Sequence, residues 1–130
     1  MKRVTGIGGI FFKSDNSKET ADWYKNHLGL PTLKEGSTCF EWLEKDAPSE
    51  VGYTVWSTFK QDTEYMNPSK SEFMINYRVE NLTELMKVLK EEGVEQYGEI
   101  EEYEYGKFGW ILDPEGRKIE LWEPVKGFKF

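Results

Sequence analysis

Glu120 stands in the run Ile119-Glu120-Leu121-Trp122 near the end of the chain, a carboxylate between apolar neighbours. A carboxylate held among rings is a candidate general acid or base, for an isomerase or lyase reaction among others. Strand alternation puts Glu120 and Trp122 on one face of a C-terminal strand and Ile119 and Leu121 on the other. The same rule applied to Phe73–Val79 sets Met74, Asn76 and Arg78 on one face. Arg78 could therefore pair with Glu120 and turn it into a structural salt bridge. Five Trp, seven Tyr and eight Phe exceed the needs of a small core, which suits a ring-lined pocket or a core plus an interface. Phe11, Trp42, Trp56, Trp110 and Trp122 are the candidate walls. Lys13, Asn76, Arg78 and Glu120 are the polar anchors, with Met74 beside them.

Other chemistry finds little support. The single histidine, His27, falls at a predicted helix C-terminus, where a cation or packing residue is expected. The single cysteine, Cys39, gives neither a disulfide framework nor a thiolate cluster and reads as a small buried hydrophobe. Gly6, Gly8 and Gly9 lack the Lys-Ser/Thr ending of a phosphate loop, and they let a strand pass close to another backbone or to open space. The acidic residues Glu99, Glu101, Glu102 and Glu104 match no calcium-loop pattern and read as a solvated strand face.

The elements that must position these residues come in two copies. Residues 9–26 align with 74–91 at an offset of 65, matching Ile10 to Ile75, Asn16 to Asn81, Glu19 to Glu84 and Lys25 to Lys90. Phe40-Glu41-Trp42 further aligns with Phe108-Gly109-Trp110, and residues 52–56 align with 118–122. Trp42/Trp110 and Trp56/Trp122 are thus repeat mates. Each copy opens with a strand, 4–13 or 73–79, followed by an Asn N-cap with Glu three residues on. The helices bury Ala21, Tyr24 and Leu28 in the first copy and Leu82, Leu85, Met86 and Leu89 in the second, and stop at Gly29 and Gly93. Strands follow near 37–44 and 51–59, and again near 97–104, 107–112 and 117–123, with a turn at Asp113-Pro114-Glu115-Gly116. The polar stretch 60–72 is the expected linker between modules of about 1–60 and 73–130 within one domain. Two copies of one supersecondary unit bury a shared core and place a pocket between or inside them.

The opening GIGGIFFKSDNSKETADWYKNHLGL and the closing FGWILDPEGRKIELWEP resemble the vicinal oxygen chelate superfamily, which includes glyoxalase I, bleomycin-resistance proteins and extradiol dioxygenases. The likeness covers essentially the whole chain and is strongest with small bacterial glyoxalase-like proteins. It implies an α+β fold in which two tandem βαβββ modules form a curved, cup-shaped mixed sheet with the helices outside. It also implies divalent-metal slots on the first and last strand of each module. These fall on Gly9, Met74, Thr54 and Glu120, of which only Glu120 is an apt ligand, so no metal or other cofactor is expected. Without that Lewis acid, glyoxalase I and dioxygenase chemistry are not expected. The remaining expectations are metal-free binding of a small organic ligand, or metal-independent acid/base catalysis by Glu120.

A formal net charge of −7 argues against a nucleic-acid groove. No segment has the roughly 20 apolar residues of a membrane span, and the N-terminus lacks a signal-peptide pattern. The lone cysteine suits a reduced, cytoplasmic setting. The resemblance further implies a homodimer.

Overall fold

The computed structural model describes residues 2–31 and 37–129. The element order is β1 (Val4–Ser14), α1 (Ser17–Leu28), β2 (Thr38–Glu44), β3 (Ala47–Lys60), β4 (Phe73–Val79), α2 (Leu82–Glu91), β5 (Glu101–Tyr103), β6 (Gly106–Leu112) and β7 (Lys118–Pro124). The strands form one mixed open sheet in the order β2-β3-β1-β4-β7-β6-β5. The first copy contributes β2-β3-β1 and the second β4-β7-β6-β5, joined by the antiparallel β1–β4 pair. The mate of β5 at the 68-residue offset of the Phe40/Phe108 match would fall at 33–35, outside the described residues.

The repeat is visible in the helix starts. Asn16 Oδ1 accepts from the Glu19 amide at 3.0 Å, and Asn81 Oδ1 accepts from the Glu84 amide at 3.1 Å. An extended Asn whose side chain takes an otherwise orphaned amide is the standard device for starting a helix. At the far end of α1, Gly29 takes φ +69°, a left-handed cap that glycine adopts without strain.

Both helices lie on one face of the sheet, because Ile10 and Ile75 are register partners across β1–β4 and their alternates meet α1 and α2. Under α2, Leu82, Leu85 and Met86 pack on Val79 and Leu121, flanked by Tyr77, Ile111 and Ile119, and this is the main apolar core. Burying each such side chain contributes about 1.5–3 kcal/mol. The first copy is more weakly packed. Tyr24 of α1 meets Phe12 and Trp56, but Leu28, expected on the buried stripe, is exposed at the last residue of the helix.

Other departures from the sequence reading have local causes. The strand expected over 97–104 is reduced to β5, since Gly98 at φ +75° breaks it and leaves one bridge between Gln96 and Ile111. Gly6 and Gly8 of β1 make room for side chains, whereas Gly9 lies close to the Phe11 ring and to the Val55 backbone carbonyl. A Cβ on Gly6 or Gly52 would overlap the Trp42 ring, and one on Gly8 would overlap Asn76 Oδ1 and crowd Trp122. Within the stretch 60–72, Met66 is fully buried and Ser69 is buried, so these two residues pack into the fold. Among the described residues no helix is long and apolar enough to cross a membrane.

Candidate functional site

Backbone register brings Glu120 to its neighbours. On β7 it lies opposite Asn76 of β4 on one side and opposite Trp110 of β6 on the other. Its side chain leaves the sheet on the face away from the helices and is 3 % exposed. Asn76 Nδ2 donates to Glu120 Oε1 at 2.6 Å, and Trp110 Nε1 donates to Oε2 at 3.0 Å. The third donor is the phenol of Tyr65, also to Oε2, from the stretch that precedes β4. All three donors are neutral. Buried polar groups must be matched in this way, because an unmatched one loses its hydration without return.

Lys118 completes the cluster from the same face of β7. Its Nζ donates to the Tyr65 carbonyl at 2.7 Å and lies 4.7 to 5.5 Å from the ring centroids of Tyr97, Tyr65 and Trp110. Burial pulls the Lys118 pKa below the usual lysine value, against the Glu120 and Glu101 charges that favour its cation. For Tyr65, burial first and then the Glu120 charge push the phenol pKa well above its ordinary value. The Tyr65 ring stacks on Phe59 at 5.7 Å and meets Trp110 edge-on at 6.3 Å, while Phe11 touches Phe59 at 5.3 Å.

Arg78 is elsewhere. Its Nη1 donates to Thr5 Oγ1 at 2.8 Å and to Glu44 Oε2 at 3.1 Å, and the guanidinium lies 5.7 Å from the centroid of the Trp42 ring. Its Nη2 has the exposed Glu50 carboxylate at a loose 3.6 Å. Arg78 therefore does not neutralise Glu120, which settles the pairing left open by strand alternation. It borders a groove of about 870 Å³ that is also lined by Tyr53, Glu44, Glu50, Glu123 and Phe128.

The sequence-predicted residues thus divide into groups. Asn76 and Trp110 contact Glu120, and Met74, buried, precedes Asn76 on the same face. Phe11 adjoins through Phe59, and Lys13 is half-buried opposite Phe59 in the β1–β3 register. Trp122 stacks on Phe108 at 6.0 Å and donates from Nε1 to the Tyr105 carbonyl at 3.0 Å. Trp56 is on the helix face against Tyr24 and Phe12, away from the Glu120 group. Trp42 covers Gly6 and Gly52 and donates to Thr54 Oγ1 at 2.9 Å. His27 is exposed beside Trp23, Cys39 is only partly buried, and the four Glu of 99–104 are exposed, Glu101 accepting from the Tyr103 hydroxyl.

Three members of the Glu120 neighbourhood were not foreseen. Lys118 was legible, since it shares the alternating face of Glu120 and Trp122. Phe59 sits on the predicted strand 51–59 with its parity unassigned. Tyr65 carried no periodic signal at all.

The metal slots do not fit a divalent ion. Gly9 offers no side chain and Met74 only a thioether. Thr54 accepts from Trp42 and donates to the Ile7 carbonyl, and both Glu120 oxygens already accept hydrogen bonds. Among the described residues no group of three or more His, Cys, Asp or Glu is placed to hold a metal.

No protein-family model matches the chain, and no curated protein does. Solved structures do match along nearly its full length. A glyoxalase/bleomycin resistance protein/dioxygenase superfamily member from Vibrio splendidus 12B01 superposes with TM-score 0.57 at 13 % identity, covering 95 % of this chain and 99 % of that one. This chain has the vicinal oxygen chelate fold. Methylmalonyl-CoA epimerase from Mycobacterium tuberculosis superposes with TM-score 0.61 at 19 % identity, covering 96 % and 91 %. A single-residue variant of the Streptomyces coelicolor methylmalonyl-CoA epimerase, in complex with 2-nitronate-propionyl-CoA, gives 0.65 at 14 % identity, covering 94 % and 99 %. At such identities the likeness concerns the vicinal oxygen chelate fold alone.

Proposed function

We propose that this protein binds a small organic molecule without the divalent metal associated with the vicinal oxygen chelate fold, in the manner of the bleomycin-resistance branch. The observation that carries the reading is the groove beside Arg78, of about 870 Å³, within the size range of small-molecule sites. It combines a guanidinium, the Tyr53 and Phe128 rings and the exposed Glu50, which holds Arg78 Nη2 only loosely. A ligand acceptor can take the place of Glu50 on Nη2, while its apolar part lies against the rings.

Tag-free protein purified without chelator should carry an organic adduct, or no adduct, but no stoichiometric divalent ion in a native mass spectrum. Thermal-shift screening against small organic acids should then find compounds whose effect is lost in Arg78→Gln and kept in Glu120→Gln. A bound divalent ion, or hits insensitive to Arg78→Gln, would overturn the reading.

A second reading retains Glu120 as a metal-independent acid or base. It is favoured by the absence of Arg78 from its partners, which leaves three neutral hydrogen-bond donors on the carboxylate and Lys118 as the cation in the same cluster. Loss of turnover in Glu120→Gln, with binding retained within about tenfold (roughly 1.4 kcal/mol), would favour it. We further propose a cytoplasmic homodimer. Phe40 and Leu43 are exposed on the edge strand β2, and Ile7, Ile10 and Phe73 on the central β1–β4 pair, a distribution that suits a subunit contact. Sedimentation at micromolar concentration checks this, and a monomer there would refute it.

A further inference from the structure

The sheet ends at β5, beyond which the described residues supply no further strand, so the outer backbone groups of Glu101–Tyr103 have no ladder partner. Every residue from 97 to 105 is exposed. Two chemistries interleave along this edge. Among the described residues, Glu99, Glu101, Glu102 and Glu104 enter no ion pair, and only Glu101 has a hydrogen-bond partner, the Tyr103 hydroxyl. Between these carboxylates the Tyr103 and Tyr105 rings stack at 5.4 Å with their planes 9° apart, and Phe108 backs both edge-on. Each tyrosine is still 46 % exposed. The ring pair is therefore held in place from beneath while its outer surface stays in water.

We propose that this edge is a docking surface for an extended, arginine-bearing segment of another protein, which adds to the sheet as a further strand beside β5. Open N–H and C=O groups call for a chain in extended conformation. The unpaired carboxylates call for cations, because opposite charges across a strand pair stabilise it and like charges destabilise it. The stacked Tyr103 and Tyr105 rings call for a flat cation, since a guanidinium lies on an aromatic face better than an ammonium does. A second copy of this chain fits poorly, because it would set these carboxylates against their own counterparts. The surface lies two strands from Glu120, in the order β7-β6-β5, and shares no residue with the Arg78 groove. It does not depend on ligand binding there.

The probe is an acetylated, amidated peptide of alternating arginine and valine, followed through the amide chemical shifts of isotope-labelled protein. It should bind saturably and shift the amides of residues 100–105. A counterpart N-methylated at every residue keeps the charges but cannot donate to the edge, and should bind about tenfold more weakly. A peptide with lysine in place of arginine should also bind more weakly, because it cannot lie flat on the rings. The combined Glu99→Gln, Glu102→Gln and Glu104→Gln substitutions, all at exposed positions, should cost about tenfold in affinity for the arginine peptide. Equal affinity for the methylated peptide would reduce the contact to surface charge and overturn the proposal. So would full affinity in the substituted protein, an arginine peptide no tighter than the lysine one, shifts confined to other strands, or no binding. If the substituted protein does not fold, the methylated and lysine peptides decide the matter on wild type.

Discussion

Trp110 Nε1 donates to Glu120 Oε2 at 3.0 Å across the β6–β7 pair, where the two residues are direct register partners. The first copy has a related contact in a different register, since Trp42 Nε1 donates to Thr54 Oγ1 at 2.9 Å although Trp42 lies opposite Gly52 and Thr54 opposite Phe40. Trp42 and Trp110 are repeat mates, as are Thr54 and Glu120. The duplicated unit thus keeps an indole donor and an oxygen acceptor while only the second copy keeps a charge. Thr54 donates its own hydroxyl hydrogen bond to the Ile7 carbonyl, so it both accepts and donates within the fold. Glu120 needs donors and receives three.

Removing one of those donors should be felt. Trp110→Phe leaves Oε2 with Tyr65 alone and deletes part of a buried ring, so unfolding free energy should fall by about 1–3 kcal/mol. Urea denaturation at neutral pH measures this, and a loss below about 0.5 kcal/mol would mean the indole bond contributes nothing.

Glu120 and Arg78 share no hydrogen-bond partner. Glu120→Gln turns an acceptor of three bonds into a group with one oxygen and should destabilise by about 1–3 kcal/mol. In a double-mutant cycle with Arg78→Gln, the two effects should add within about 0.5 kcal/mol. A larger coupling would mean that the two charges sense each other directly.

Alkaline pH should weaken the Tyr65 contact. The folded phenol holds its proton above the ordinary value, so the unfolded chain releases a proton there that the folded state keeps. The contribution of Tyr65 to stability is therefore complete below about pH 10 and declines as pH rises beyond it. The gap in urea midpoint between wild type and Tyr65→Phe should hold up to about pH 9 and narrow between about pH 10 and pH 11.5. A constant gap would show that the phenol proton is not held by the fold.

Met66 tests whether residues 60–72 are a spacer. A fully buried methionine truncated to alanine leaves a cavity, and Met66→Ala should cost about 2–5 kcal/mol. A true linker residue would cost less than about 0.5 kcal/mol.

Gly8→Ala should be worse than Gly29→Ala, although only Gly29 has a positive φ. A Cβ at Gly8 meets Asn76 Oδ1 and Trp122, both in packed surroundings, and overpacking costs about 1–3 kcal/mol. At Gly29 the added Cβ meets open space, and only the left-handed backbone resists it, at about 1–2 kcal/mol. Thermal unfolding of the two variants side by side decides the order.

Much of this architecture was written in local pattern. The duplicated Asn-x-x-Glu caps, the alternation of Ile119 and Leu121 against Glu120 and Trp122, and the Leu82-Leu85-Met86 stripe depend on residues a few positions apart. Short-range geometry determines such features wherever the chain is placed. The pairing of Glu120 with Asn76 could not be read in this way, because it depends on β4 and β7 lying parallel in one register, 44 residues apart. Alternation gave Arg78 the same strand face as Asn76, yet Glu44 and Thr5 claimed its guanidinium. Tyr65 was least legible. It lies in a polar, aperiodic stretch, and its role follows only from where β3 ends and β4 begins in space. Sequence by itself determined the two-copy α+β plan and the faces of β4 and β7, while the weakness of the metal slots followed from the family resemblance. Tertiary structure alone decided which donors meet Glu120, because a buried carboxylate takes whatever partners the packed chain brings within hydrogen-bonding distance.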